Sequence, residues 1–486
     1  MCHRQLGAAL LFAAGLLALA SPVSAEPFGT VAIEGEVANS GELERLRRQF
    51  GATRAGVDRE NDVQFLQVPL SRRQEFTDAL VQSSIGEQVL VQSYAGSPET
   101  LMSPAAESEL TPAQLETLEA LSVRGRRPQI LRAASAMATR FGFANGFGAG
   151  RRSGFQFDLG SRSVRFARAG AENAAPSEWA GLTDLGETAR LSAREEDIYG
   201  VIDTPESVIE IRPLGSGLHA VIETPRQEIG GDEPPAFHER APIGDVQGGV
   251  GDAPQRLSVV DTLVVYTQGA AIAAGASPST LFGEKRIDGV NTAFQNGRLQ
   301  NVVRLNLARV APVTYDDGPD VPWDSHVAML GNPRSALRRQ IDPIRDDVRA
   351  DIVVLVIADG AWCGEALSIG PNQDTAIARG RAFAVVNQSC ISNLSFEHEV
   401  GHLFGLRHDI NVDTATQPYQ WGHGLVMETL NERTVMAYPD HCNGCPRIQR
   451  WSDASATYKN TPLGSADWEN EVRVIRATAP RLAALY

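Results

Sequence analysis

Residues 398–409 read HEVGHLFGLRHD and hold three of the nine histidines in the chain. His398 and His402 stand four residues apart, so on a helix their side chains share one face and can grip a single ion. Imidazole pairs in the pattern HExxH suit zinc. Glu399 is too close in sequence to His398 to be a natural third ligand, but it is well placed to reach a water on the metal and act as general base. His408 lies too far along to share the helical face, so the helix must stop and the chain must turn back. Gly405 permits that, because glycine accepts the left-handed conformation that ends helices. Three nitrogens leave one coordination position open for water, the mark of a catalytic rather than a structural zinc.

These side chains need a scaffold, and the flanking sequence supplies one. From residue 257 the chain alternates apolar strands with amphipathic helices. LSVVDTLVVYT (257–267), VVRLNLARVAPVTY (302–315), DIVVLVIAD (351–359) and RAFAVVNQ (381–388) read as strands, EKRIDGVNTAFQNGRL (284–299) and SALRRQIDPIRDDVRA as helices. Such alternation predicts an α/β fold with a mostly parallel twisted sheet and helices on its faces. GSADWENEVRVIRATAPRLAAL closes the chain as a packing helix. Upstream, 29–94 alternates like a small α/β unit, 112–140 reads as mainly helical, and a β-rich stretch follows, with FQFDL, SVRFARA, DIYGVIDT, SVIEIRPL and HAVIET as strands. Segment 225–256 is rich in Pro, Gly and Asp, a poor core former and a good exposed linker.

At 486 residues the chain is expected to hold two or three domains. Its formal net charge of −15 argues against nucleic acid or an anionic membrane as main partner, and only −5 of it falls after residue 256. MCHRQLGAALLFAAGLLALASPVSA (1–25) has the basic start, short apolar run and small-residue cleavage pattern of a secretory signal peptide. The apolar run is short for a membrane span, so the expected location is secreted or periplasmic, without stable membrane insertion. After its removal Cys363, Cys390, Cys442 and Cys445 remain, and an even number in an exported protein points to two disulfides. Three pairings exist, and sequence does not choose among them. Cys363–Cys390 with Cys442–Cys445 is favoured, against a reading of Cys442-x-x-Cys445 as half of a structural zinc site with no second CxxC to complete it.

HExxHxxGxxHD resembles the zinc signature of the metzincin metalloproteases, and the trailing Asp409 resembles that of the adamalysin, or reprolysin, branch. That branch also carries a methionine in a tight turn, and NERTVMAYP places Met436 28 residues after His408. Further pieces, among them DTLVVYT, DIVVLVIAD, Cys363-Gly364, AFAVVNQSC, WGHG and TVMAYPDHCNGCPRIQRWSD, are similar to the bacterial peptidyl-Asp metalloendopeptidases across nearly all of 257–486. IYGVIDTPESVIEIRPLGSGLHAVIE resembles the last part of a reprolysin prodomain.

The resemblance implies a metzincin-type catalytic domain at 257–486, with an active-site helix and Met-turn. Before it stand an α/β to β-rich prodomain at 26–224 and a linker at 225–256 that holds the maturation site. It implies a secreted zinc endopeptidase made as a zymogen, acting on polypeptides, with His398, His402 and His408 as ligands, Glu399 as base and Met436 as an apolar floor. Asp409 orients the turn, and Tyr438 matches the position where astacins and serralysins keep a tyrosine close to zinc, which implies a fifth ligand or an oxyanion donor. Substrate is expected to lie extended beside RAFAVVNQ as an added strand. If cleavage falls before Asp, the carboxylate calls for a guanidinium partner, with Arg447 and Arg433 as candidates and Arg450 behind them. The prodomain serves as folding aid and inhibitor, and having no cysteine it cannot use a thiolate-to-zinc switch. Calcium is left open, with no support in the sequence. His423 and His441 are read as surface or loop residues, with a place near the cleft as the alternative, and His326 and His219 carry no motif. The alternatives are a catalytically idle binding protein on a metalloprotease fold and, more distantly, a zinc amidase. An intact Glu399 speaks against the idle form, which has no need of a base.

Overall fold

The computed structural model describes residues 28–34, 41–58, 63–69, 72–83, 90–93, 99–122, 126–133, 155–159, 163–167, 178–183, 187–194, 197–204, 206–226, 229, 256–275, 277–318, 320–358, 362–371, 375–442 and 444–486. The expected signal peptide at 1–25 and nearly all of the linker lie outside them. The fold is mixed α/β, and its strands fall into three main sheets.

The first is a four-stranded antiparallel sheet of β1 (Phe28–Glu34), β2 (Thr53–Asp58), β3 (Val63–Pro69) and β4 (Leu90–Ser93), in the order β2-β3-β1-β4. Helices α1 (Gly41–Phe50) and α2 (Arg73–Val81) accompany it. Leu43, Leu46 and Phe50, spaced three and four apart on α1, meet Val31 and Ile33, spaced two apart on β1, in one core.

The second sheet closes on itself. It comprises β5 (Glu99–Pro104), β6 (Gln129–Ala133), β7 (Phe155–Asp158), β8 (Ser163–Ala167), β9 (Glu178–Thr183), β10 (Thr188–Arg194), β11 (Asp197–Asp203), β12 (Ser207–Gly215) and β13 (Leu218–Pro225). Helix α3 (Pro112–Ala120) starts with a capping box in which the Thr111 hydroxyl accepts from Gln114 N. Among the described residues of 112–140, the mainly helical reading holds for Pro112–Ala120 and not for Gln129–Ala133. Gln129–Ala133 is a strand because its backbone pairs with β13 and β5, partners that local periodicity does not reveal.

The third sheet has the order β15-β14-β16-β18-β17, with β14 (Ser258–Tyr266), β15 (Val303–Pro312), β16 (Ile352–Ile357) and β18 (Phe383–Asn387) parallel and β17 (Gly364–Ala366) antiparallel. Every residue of IVVLVI on β16 is buried, as a strand covered on both faces requires. Ile352, Val354 and Val356 join one core with helices α5 (Lys285–Asn296), α9 (Ser395–Phe404) and α10 (Glu471–Leu482). Val353, Leu355 and Ile357 join the other, with α6 (Trp323–Gly331) and α7 (Arg338–Val348). Between these elements lie α4 (Gln268–Ala274) and α8 (Thr375–Arg381).

One expectation is corrected here. RAFAVVNQ cannot take an added strand, because β18 is hydrogen-bonded to β16 on one side and to β17 on the other. The edge on this side of the sheet is the three-residue β17.

The closing helix α10 buries Glu471 in its first turn, where Ser452 N donates to Oε2 at 2.6 Å. Burial outweighs that bond and pushes the carboxyl up to about 8. The protonated form is thus favoured by folding, so this contribution is complete below about pH 4.5, the ordinary glutamate value, and is lost as pH rises through about 8. Glu471→Gln is expected to flatten the pH dependence of melting between pH 5 and 8. The gain at pH 8 is on the order of a few kcal/mol, with little change at pH 5. Thermal melts across that range check it, and an equal shift at both ends would refute it.

Candidate metal centre

The site is built on α9, all ten of whose residues are buried. Val400, Leu403 and Phe404 face the sheet core, which leaves His398 and His402 on an adjoining face. The helix ends at Gly405, with φ of 101°, whose N–H returns to the carbonyls of Gly401 and His402. Only glycine adopts that geometry at low cost. Arg407 then locks the turn: Nε and Nη2 donate to the Asp413 carboxylate at 2.8 and 3.1 Å, and Nη1 to Gln417 O at 2.7 Å. The reversed chain brings His408 back to the pair.

The three Nε2 atoms converge, His398–His402 and His398–His408 at 3.2 Å and His402–His408 at 3.0 Å. His398 Nδ1 lies 2.9 Å from Val435 O, and His402 Nδ1 2.9 Å from Leu406 O. A carbonyl only accepts, so the Nδ1 of His402 carries the proton and its Nε2 presents a lone pair inward. Three ring nitrogens this close suit a shared cation. Tetrahedral bonds to zinc of about 2.0–2.1 Å would set the nitrogens about 3.3 Å apart. The residues fit zinc, and among the described residues they form the one group of three able to hold a metal ion.

The floor and walls follow. A methyl at Gly401 would stand 2.4 Å from Met436 Sδ and 3.1 Å from Trp451, so the glycine inside HEVGH lets Met436 lie directly under the helix. Asp409 accepts from Tyr438 N at 2.8 Å and Asn411 N at 3.2 Å, tying the third histidine to the segment after Met436. The buried Tyr438 ring sits 4.3 Å from that of His408 and 6.1 Å from that of His398, centre to centre. Glu399 is buried, its carboxyl against Gly364 at the start of β17.

Arg447 is buried behind His398, with Nη2 2.9 Å from His398 Nδ1 and Nη1 donating to Asn393 O at 3.1 Å. Arg433 is buried beside it and bonds the carbonyls of Cys445, at 2.9 Å, and Ala437. Arg450 reaches Asn296 O at 2.9 Å, away from the histidines. The structure joins Cys363 to Cys390 and Cys442 to Cys445, so the CxxC pair is a disulfide and not half of a zinc site. The first bridge ties the start of β17 to the 3₁₀ turn Gln388–Asn393 before α9.

His423 corrects the sequence reading. It is fully buried, with Nδ1 2.7 Å from His408 O and Nε2 3.0 Å from Ala415 O, and so braces the backbone of the third ligand. No spacing rule points to it; its neighbours in WGHG were the only signal. His326 and His219 are buried as well, while His441 is exposed.

Residues 284–409 match the family described as Metallo-peptidase family M12B Reprolysin-like, a match that ends on His408 and Asp409. The chain is 30% identical over 312 residues to a peptidyl-Asp metalloendopeptidase of Stenotrophomonas maltophilia, covering 63% of this chain and 72% of that protein. It is also 30% identical over 296 residues to one of Xanthomonas campestris pv. campestris, covering 60% and 67%. A metalloproteinase-II from Bacteroides fragilis is a far more distant structural likeness, with a TM-score of 0.29 at 11% identity over 56% of this chain and 85% of that one.

Proposed function

Since this chain belongs to the reprolysin-like metallopeptidases and is a metalloendopeptidase, we propose that it is exported as a zymogen and cleaves polypeptides on the N-terminal side of Asp, with Glu399 as general base. The observation that carries this is the convergence of three Nε2 atoms at 3.0–3.2 Å beside a buried carboxyl. His398, His402 and His408 would hold a zinc ion, which would supply Lewis-acid polarisation of the scissile carbonyl and acidify a water to a pKa of roughly 7.

The chain's own residues do the rest. Glu399 takes the proton of the attacking water and delivers it to the leaving amine. Met436 is the apolar floor that holds the ligand set from below, and Asp409 keeps Tyr438 at the rim, where its phenol can donate to the developing oxyanion. Arg447 and Arg433 are the candidate cations for an Asp side chain, and since both are buried and bonded to backbone carbonyls, their charge would act from behind His398 and not by direct pairing. The relatives' printed name, peptidyl-Asp metalloendopeptidase, favours this specificity.

Residues 26–224 serve as the propiece. Arg212, fully buried, is gripped by Glu210 at 2.6 and 3.1 Å. It donates to Gln388 Oε1 at 2.6 Å, Gln388 O at 3.1 Å and Ala273 O at 3.2 Å. Gln388 directly follows β18 and precedes α9, so the barrel is anchored on the turn that leads into the helix carrying His398 and His402. Leu118, Leu214 and Ala220 pack with Ala273 of α4 in the same seam. This anchoring favours latency by steric cover, released by a cut within 225–256. No helix among the described residues is long and apolar enough to cross a membrane.

The test uses the secreted protein on a proteome-derived peptide mixture, with new N-termini read by mass spectrometry. The expected result is cleavage concentrated before Asp, abolished by a zinc chelator, from a protein whose own N-terminus lies in 225–256. Cleavage without an Asp bias would refute the specificity. A protein still beginning near residue 26 would refute the propiece. No cleavage from zinc-loaded protein lacking the N-terminal part would leave the idle binder.

A further inference from the structure

Gly364 opens β17, and the space its side chain would fill is already occupied. A Cβ built there lies 2.3 Å from Glu399 Oε1, 2.6 Å from Cδ and 2.6 Å from Cγ. No real Cβ makes such contacts, and the crowding reaches Cγ, so rotating the carboxylate alone does not relieve it. The backbone of Gly364 is not in the left-handed region that favours glycine. Alanine would suit its φ and ψ, which makes the demand for glycine one of space rather than conformation.

The strand cannot retreat to make that space. Cys363 is bonded to Cys390, and its carbonyl accepts from Asn387 N at 2.8 Å. Gly364 itself pairs with Val386. Glu365, the next residue, is buried and accepts from Trp323 Nε1 at 2.6 Å. On the other side Glu399 belongs to a wholly buried helix. The soft degree of freedom left between two fixed backbones is the Glu399 side chain.

We infer that Gly364 is a positioning residue for the peptidase reaction: its missing side chain is the seat of the Glu399 carboxyl, and the Cys363–Cys390 bridge and the Glu365–Trp323 bond hold that seat in place. This rests on the reading of Glu399 as the base. A methyl at 364 displaces the carboxyl by the order of an ångström, and misplacement on that scale costs about 10²-fold in rate.

The experiment compares wild type, Gly364→Ala, Glu399→Asp, the double variant and Glu399→Ala in the secreted protein, measuring kcat, KM and bound zinc. Gly364→Ala is expected to lower kcat about 10²-fold with KM and zinc content little changed. Aspartate is one methylene shorter and draws back from the added methyl. Glu399→Asp should therefore cost much less in the Gly364→Ala background than in wild type, a coupling that a general loosening of the strand does not produce. Wild-type kcat in Gly364→Ala, or penalties that simply add, would overturn the inference. Should Gly364→Ala fail to accumulate, the double variant decides: zinc-loaded protein recovered by Glu399→Asp supports the seat, and failure of both overturns it. Undiminished hydrolysis by Glu399→Ala would instead sink the reading of Glu399 as base.

Discussion

Glu399→Ala is expected to lower kcat for peptide hydrolysis by about 10²–10⁴-fold, the usual worth of a positioned acid–base group, without loss of bound zinc. The reason is geometric. Glu399 stands next to His398 in sequence, but successive helical side chains point about 100° apart, so its carboxyl lies beside the cluster of imidazoles and not within it. The ligand nitrogens are oriented by Val435 O and Leu406 O, neither of which the substitution touches. Glu399 is also buried, and removing a buried carboxyl relieves a desolvation cost, so the melting temperature should not fall. Initial rates on a peptide substrate, zinc by atomic absorption and a thermal melt check all three parts. Activity within tenfold of wild type would remove Glu399 from the mechanism.

His402→Ala is expected to lose both the metal and measurable activity. His402 is central to the set, with Nε2 3.2 Å from that of His398 and 3.0 Å from that of His408. Its Nδ1 also bonds Leu406 O, in the turn that carries the third ligand back. The substitution therefore removes one ligand and loosens another. In the unsubstituted protein, zinc bound only by the folded state adds RT ln(1 + [Zn]/Kd), about 4 kcal/mol at a thousandfold excess over Kd. A chelator should lower the melting temperature and abolish hydrolysis, and added zinc should restore both. The His402→Ala protein should respond to neither addition. A chelator-sensitive melt or residual hydrolysis in that variant would point to a different ligand set.

The remaining contrast is between local and non-local information. His398, His402, Gly405 and His408 were readable because the periodicity of one helix and the conformational freedom of one glycine decide where their side chains go. Strand β16 was readable too, since a run of apolar β-branched residues has to be covered on both faces. The β17 edge was not. Three residues, GEA, carry no periodicity, and it is a strand because β18 and the Cys363–Cys390 bridge hold it. The strand at 129–133 is likewise made by its partners in the barrel. His423, Arg407 and Arg447 brace the ligands through bonds to backbone or to residues brought close by turns, and no spacing announces such bonds. The choice of two disulfides from three possible pairings also needed the folded chain. By itself the sequence determined which three imidazoles converge, because that depends on a single turn of chain. Only the tertiary structure decided what holds Glu399 in place, because the space at Gly364 belongs to a strand and a helix that meet only when the sheet is complete.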